Sequence, residues 1–131
     1  MKRRTQEWVD KAEGDWAVAG RELHTPRPVY DVVCFHAHQC AEKYLKAFLE
    51  EGCIPFEKEH DLLLLFNLAH GQLPELQSRT EELNHLGAFG IAVRYPGTGA
   101  DRKAAEQAVG LAEAVRGVVR TELGLGEEEP K

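Results

Sequence analysis

Apolar residues recur at steps of three and four along most of this chain, and that spacing predicts five amphipathic helices. Proline and glycine separate the periodic segments, because neither residue suits the interior of a helix. No alternation of apolar and polar positions lasts long enough to predict a β-strand. The predicted helices cover residues 5–23, 29–51, 60–69, 74–93 and 101–123.

The second predicted helix has the clearest apolar stripe, made of Tyr30, Val33, Cys34, Ala37, Ala41, Tyr44, Leu45 and Phe48. On the first helix we expect Glu13 to face away from the core. At the start of the fifth helix we expect Thr98 to be the N-cap, with Asp101 three residues later. Long amphipathic helices with short connections favour an all-α antiparallel bundle.

The composition indicates one helical domain over residues 1–125, followed by a flexible acidic tail at 126–131. A net charge of −6 argues against a chain that binds polyanions over its whole surface. No apolar run is long enough for a membrane span, and the basic N-terminus lacks the apolar stretch of a signal peptide. Three cysteines without regular spacing suggest reduced thiols, so we expect a cytoplasmic protein with no membrane association.

Residues 34–46 of the second helix contain four potential zinc ligands, Cys34, His36, His38 and Cys40. At about 100° per residue, Cys34 and His38 share one side of the helix. His36 and Cys40 share another side, which points roughly 200° away from the first. One ion cannot be bound by both pairs, so we predict no metal site and no cofactor. We interpret the cysteines as core residues and His38 as a hydrogen-bonded, partly buried imidazole.

Polar side chains cover the opposite face of this helix, namely Gln39, Glu42, Lys43, Lys46 and Glu50. Glu42 and Lys46, four residues apart, are spaced to form an ion pair on a solvated face. Two apolar residues on the same side, Val32 and Phe35, suggest instead that this face meets a partner. We therefore take Val32, Phe35 and His36 as candidate interface residues.

A second candidate site lies at the predicted end of the fourth helix, where Arg94 and Tyr95 precede a proline. An arginine beside an aromatic ring can bind a phosphate or stack on a base. The helix dipole explains a cation at a helix C-terminus equally well. The following Gly-Thr-Gly stretch is read as a loop, because a P-loop needs a preceding strand and a Gly-Lys pair.

Taken together, these motifs resemble the HEPN family of helical proteins, named for higher eukaryotes and prokaryotes and for proposed nucleotide binding. The resemblance extends over nearly the whole chain. Its carriers are Trp8 and Asp15, the run CFHAHQCAEKYLKAFL at residues 34–49, the Lys-x-His-Asp-Leu stretch at 58–62, and Ala-Val-Arg-Tyr-Pro at 92–96.

The resemblance implies an up-and-down four-helix bundle with an additional short helix, commonly a homodimer, and a minimal nucleotidyltransferase as a partner. Some members are ribonuclease toxins in which a histidine follows an arginine by a few residues. Arg94 matches that arginine, but the positions for the histidine hold Gly99, Ala100 and Asp101. Since no histidine follows His85, we assign no catalytic residue.

We therefore expect a non-catalytic helical module in nucleotide or nucleic-acid processes, acting as a homodimer beside a nucleotidyltransferase and with a nucleotide as a possible ligand. The candidate ligand-binding residues are Gln39, Lys43, Lys46, Arg94 and Tyr95. Two alternatives stay open. One is a metal-independent ribonuclease of a toxin–antitoxin pair, which would need His36 or His38 in place of the missing histidine. The other is a purely structural interaction module.

Overall fold

The computed structural model describes residues 1–126, and within them all regular structure is helical. The predicted all-α class is therefore confirmed. Residues 127–131, most of the predicted acidic tail, lie outside the described residues. The elements are α1 Arg3–Leu23, α2 Tyr30–Glu51, α3 Leu62–Leu68, a 3₁₀ helix Pro74–Arg79, α4 Thr80–Ala92 and α5 Arg102–Glu122.

Helix α2 lies at the centre of the bundle and packs against the four other α-helices. The start of α1 meets the end of α2, where the backbone N–H of Lys2 donates to Glu51 Oε1 at 3.0 Å, so these two helices are antiparallel. More than half of α2 is buried, including Tyr44 and Leu45. Within residues 1–126, each helix lacks either the length or the apolar character needed to cross a membrane.

Helix α4 crosses α2 at very close range because Gly90 has no side chain. A Cβ atom built on Gly90 would lie 2.5 Å from the Cβ of His38, inside the van der Waals contact distance. Just beyond the end of α4, Arg94 stacks its guanidinium over the ring of Phe35, which lies one turn before His38 on α2. The two helices are thus antiparallel, and the contact at Gly90 sets how near Arg94 comes to α2.

The N-terminus of α5 is capped by Asp101, so the prediction of Thr98 as the cap is wrong. The Asp101 carboxylate accepts a hydrogen bond from the Ala104 N–H at 2.8 Å, which satisfies one of the free donors of the first turn. Immediately before it, the Ala100 N–H donates to Asp31 Oδ1 at 2.7 Å. This bond ties the start of α5 to the start of α2.

Residues 74–79 form a 3₁₀ helix rather than the first turns of one long helix, so the predicted boundary of α4 is wrong. Leu73, which precedes this helix, and Leu76 within it are 0% and 1% exposed. The segment therefore packs against the bundle at both positions.

A group of charged side chains, partly buried at Glu13 and Arg116 and fully buried at Arg120, joins α1, α2 and α5 at the other end of the bundle. Glu13 accepts hydrogen bonds from Arg116 Nε at 2.7 Å and from the Tyr44 hydroxyl, while Arg120 Nη1 donates to the same hydroxyl at 3.1 Å. The expectation that Glu13 faces away from the core is therefore wrong. Burial alone would raise the pKa of Glu13, but the bonds from Arg116 and Tyr44 lower it. Since the starts of α2 and α5 also meet, these helices run parallel.

Candidate functional site

The first half of α2 and the residues after α4 together form a small surface pocket of about 230 Å³. Its lining includes Val32, Phe35 and His36 from α2 and Arg94 from the segment that follows α4. Tyr95 stands beside it and is 55% exposed. We call these five residues the Arg94 surface. All three predicted interface residues and two of the five predicted ligand residues belong to it.

Arg94 is exposed and lies between two aromatic rings. Its guanidinium carbon is 5.1 Å from the centre of the Phe35 ring and 5.5 Å from that of Tyr95, within the range of cation–π attraction. Its Nη2 donates to the Tyr95 hydroxyl at 3.3 Å. Among residues 1–126, no carboxylate forms an ion pair with Arg94. The rings therefore orient a guanidinium whose other donors face solvent.

His36 is held in one orientation by a buried carboxylate. Its Nδ1 donates to Asp15 Oδ1 at 2.8 Å, and Lys43 Nζ donates to the second oxygen of Asp15 at 2.7 Å. Asp15 is only 8% exposed, whereas the His36 side chain is 28% exposed. Because a carboxylate only accepts, Nδ1 carries the hydrogen. The other ring nitrogen, Nε2, is then a proton acceptor in neutral His36 and a donor in the protonated form.

Lys46 does not lie on a solvated face, so that prediction is wrong. Its side chain is buried, and its ammonium donates to Glu42 Oε2 at 2.9 Å, with Glu42 itself 3% exposed. The ammonium also lies 5.3 Å from the ring of Trp8 and 5.9 Å from that of Phe56. The chain after α2 folds back over this side of the helix, which sequence periodicity does not reveal.

His60, in that returning segment, completes a second group in which a carboxylate bridges a histidine and a lysine. Its Nδ1 donates to Glu42 Oε1 at 2.9 Å, and its carbonyl accepts from His38 Nε2 at 2.9 Å. Gln39 Nε2 donates to His38 Nδ1 at 3.2 Å, so Gln39 is engaged here rather than beside Arg94. Burial lowers the pKa of His38, in keeping with the neutral ring that these bonds require.

The cysteines of α2 are core residues, as predicted. Cys34 and Cys40 are both fully buried, and burial raises the pKa of Cys34 to about 11 and that of Cys40 still further. Both thiols therefore stay protonated and unreactive near neutral pH. Within residues 1–126, no three His, Cys, Asp or Glu side chains come together as a metal site would require.

The structure thus divides the predicted ligand residues between two places. Arg94 and Tyr95 lie on the Arg94 surface, and Lys43 is linked to it through the Asp15–His36 pair. Gln39 and Lys46 belong to the group around Glu42. Asp15 was not predicted from the sequence to orient His36. Its position on the apolar side of α1 was a signal that it has such a role. A carboxylate that shares the buried side of a helix must find cationic or hydrogen-bonding partners.

Comparison with known proteins identifies one relationship. A family model described as HEPN domain matches residues 5–122, which is most of the chain. Searches of curated proteins and of solved structures gave no match. The match includes both histidine–carboxylate–lysine groups and the Arg94 surface. The chain therefore belongs to the HEPN domain family.

Proposed function

We propose that the Arg94 surface binds the phosphate and base of a nucleotide or of single-stranded nucleic acid. The observation that carries this proposal is the exposed Arg94 guanidinium, oriented by Phe35 and Tyr95 and without a carboxylate partner in residues 1–126. A guanidinium offers a phosphate two parallel N–H donors. The exposed ring of Tyr95 offers a face on which a base can stack. Membership in the HEPN family is consistent with a role in nucleotide or nucleic-acid processes.

His36 extends the proposed site by one hydrogen-bonding nitrogen. Asp15 fixes the ring so that Nε2 is the nitrogen left for a ligand. His36 lines the same pocket as Arg94. Lys43 contributes less, because Asp15 already offsets its charge. Lys46 is left out of the proposed site, since its ammonium is buried against Glu42.

Titration with ATP and with a short single-stranded RNA tests this proposal. We expect Arg94→Ala to weaken binding about tenfold, because hydrogen bonds to a charged group contribute roughly 1.5 kcal/mol or more. Arg3→Ala is the matched control: it also removes one positive charge, from a side chain that is 94% exposed. Arg3 begins α1, at the opposite end of α2 from Phe35. Equal affinity of the two variants, or no binding to either ligand by the native protein, would refute the proposal.

We further propose that the protein acts as a homodimer in the cytoplasm beside a minimal nucleotidyltransferase, with Val32, Phe35 and His36 in the dimer interface. Half-buried Val32 and Phe35 give the Arg94 surface apolar area that a second copy could cover. Interface and ligand site would then share Val32, Phe35 and His36. The partner is tested by co-purifying the chain with a nucleotidyltransferase that a neighbouring reading frame encodes. If the two proteins separate when both are present at their native ratio, the proposed partnership is contradicted.

A second candidate function is a metal-independent ribonuclease of a toxin–antitoxin pair. The observation that favours it is that His36 and Arg94 line one pocket. In this mechanism Nε2 of His36 would take the proton of a ribose 2′-hydroxyl, and the 2′-oxygen would attack the adjacent phosphorus. The bond from phosphorus to the 5′-oxygen would break, water would protonate that oxygen, and Arg94 would stabilise charge on the phosphate. RNA cleavage in EDTA that is lost in both His36→Ala and Arg94→Ala would support it. Cleavage that both variants retain would exclude it, and so would a native protein that leaves RNA intact.

A further inference from the structure

A cavity of about 290 Å³ opens between α4 and α5, on elements that the Arg94 surface does not use. Its floor is apolar and consists of Leu86, Ala108 and Leu111. Helix α5 presents two alanines to the cavity, Ala104 and Ala108, where longer side chains would close the space to α4. The volume is close to the lower limit for pockets that bind small molecules, about 300 Å³.

The walls and rim of this cavity combine an aromatic surface with negative charge. His85 and Phe89 stack along one wall, with ring centres 5.4 Å apart and planes inclined by 12°. Glu81 and Glu82 stand on the rim, and within residues 1–126 no lysine or arginine lines the cavity. Glu82 is paired with Arg79 at 3.1 Å. Glu81 forms no ion pair with any residue in the range 1–126, so its charge is not offset locally.

We propose that this cavity binds a small organic cation, a primary amine on an apolar body about the size of one aromatic ring. The body would displace water from the apolar lining of the cavity, and the ring of Phe89 would attract the cation. The ammonium would pair with Glu81. A carboxylate next to an aromatic face and an apolar floor is a combination that favours ammonium compounds over neutral or anionic ones.

The burial of the cavity floor favours a small molecule over the face of a partner helix. Leu86, Ala108 and Leu111 keep only 3%, 5% and 2% of their surface exposed, although they form the floor. One inserted ring can reach such a floor, whereas a helix needs a groove that exposes a row of side chains along its length. The chemistry is thus that of a single amine, and the proposal does not depend on the function of the Arg94 surface.

Three probes that share one ring and differ in charge test the proposal: phenethylamine, 2-phenylethanol and 3-phenylpropionate. Each is titrated by NMR into isotope-labelled protein at about pH 7.5, above the ordinary range of histidine titration. We expect phenethylamine to bind most tightly and 3-phenylpropionate least. The amide shifts should be confined to residues 81–89 and 104–111.

Two variants separate the charge from the cavity. Glu81→Gln should weaken phenethylamine about fivefold, the effect of losing one exposed ion pair, and leave 2-phenylethanol unchanged. Ala104→Leu should abolish binding of all three probes by filling the opening. Since Glu81 is exposed, its variant remains informative even if Ala104→Leu disturbs folding. Equal affinity for the amine and the alcohol, shifts outside the two segments, or no binding of any probe would each overturn the proposal.

Discussion

Replacing Gly90 by alanine would test whether close contact between α4 and α2 shapes the bundle. A methyl group at this position meets the Cβ of His38 at 2.5 Å and its Cγ at 3.0 Å. Both atoms adjoin the α2 backbone, and the imidazole is fixed by its bond to the His60 carbonyl. The clash cannot be relieved by rotating a side chain, so α4 must move outward by roughly 1 Å to reach van der Waals separation.

Two opposing effects set the size of the change. Alanine is favoured over glycine in a helix interior by about 1 kcal/mol. Overpacking a well-filled contact costs about 1–3 kcal/mol, and this contact is at the severe end because backbone-linked atoms are involved. We expect Gly90→Ala to lose about 2 kcal/mol of unfolding free energy in total. Gly110→Ala, on α5 with nothing within 4 Å of the added Cβ, should gain about 1 kcal/mol.

Urea unfolding followed by circular dichroism measures both variants under identical conditions. The outward shift of α4 should also separate Arg94 from Phe35. Gly90→Ala should therefore lower the affinity of the Arg94 surface for any ligand, whereas Gly110→Ala should leave that affinity unchanged. The reasoning fails if Gly90→Ala is as stable as the native protein, or if both alanine variants are stabilised to the same extent.

Three further predictions concern the buried charges and the surface. Lys46→Met should lower the unfolding free energy by about 3 kcal/mol, because Glu42 loses a buried partner, and adding Glu42→Gln should restore part of it in the same urea assay. Burial lowers the pKa of His38 below its ordinary 6.5, so the unfolded chain takes up the proton first. The contribution of the neutral His38 ring to the free energy of unfolding is complete above pH 6.5 and is lost as the pH falls below that value. The difference in unfolding free energy between the native protein and His38→Gln should therefore shrink as the pH is lowered from about 7.5 to about 5.5. If the difference instead grows, the burial argument is wrong. Val32→Asn, which changes no charge, should reduce the mass measured by light scattering from dimer towards monomer; an unaltered mass would remove Val32 from the interface.

Much of the fold is predictable from the chain because burial and helical spacing agree along α1, α2 and α5. The stripe predicted for α2 contains Val33, Cys34 and Leu45, and each of them is buried. The same reasoning failed for Lys46, since a helix at the centre of a bundle has no side that remains free. Periodicity describes one helix at a time, and the returning segment with Phe56 that covers Lys46 is not periodic.

The candidate site was predictable only in part, for a similar reason. Arg94 and Phe35 were each predicted to be site residues, but their contact depends on Gly90, whose lack of a side chain lets α4 approach His38 on α2. Gly90 and His38 are about fifty residues apart in the sequence. Pairings across such a distance do not follow from spacing within a helix. Asp15 was the clearest available hint, because a charge on the buried side of α1 requires a partner from another helix.

The buried guanidinium of Arg120 bears on where this domain can be cut or fused. The family match ends at residue 122, yet Arg120 Nε donates to the Gly126 carbonyl at 2.8 Å and its Nη2 reaches that of Leu125 at 3.5 Å. Arg120 is 0% exposed, so these carbonyls replace water around a charge that has little access to it. A chain shortened to the limits of the sequence family would remove both acceptors. Fusion partners and tags are therefore best attached beyond Gly126.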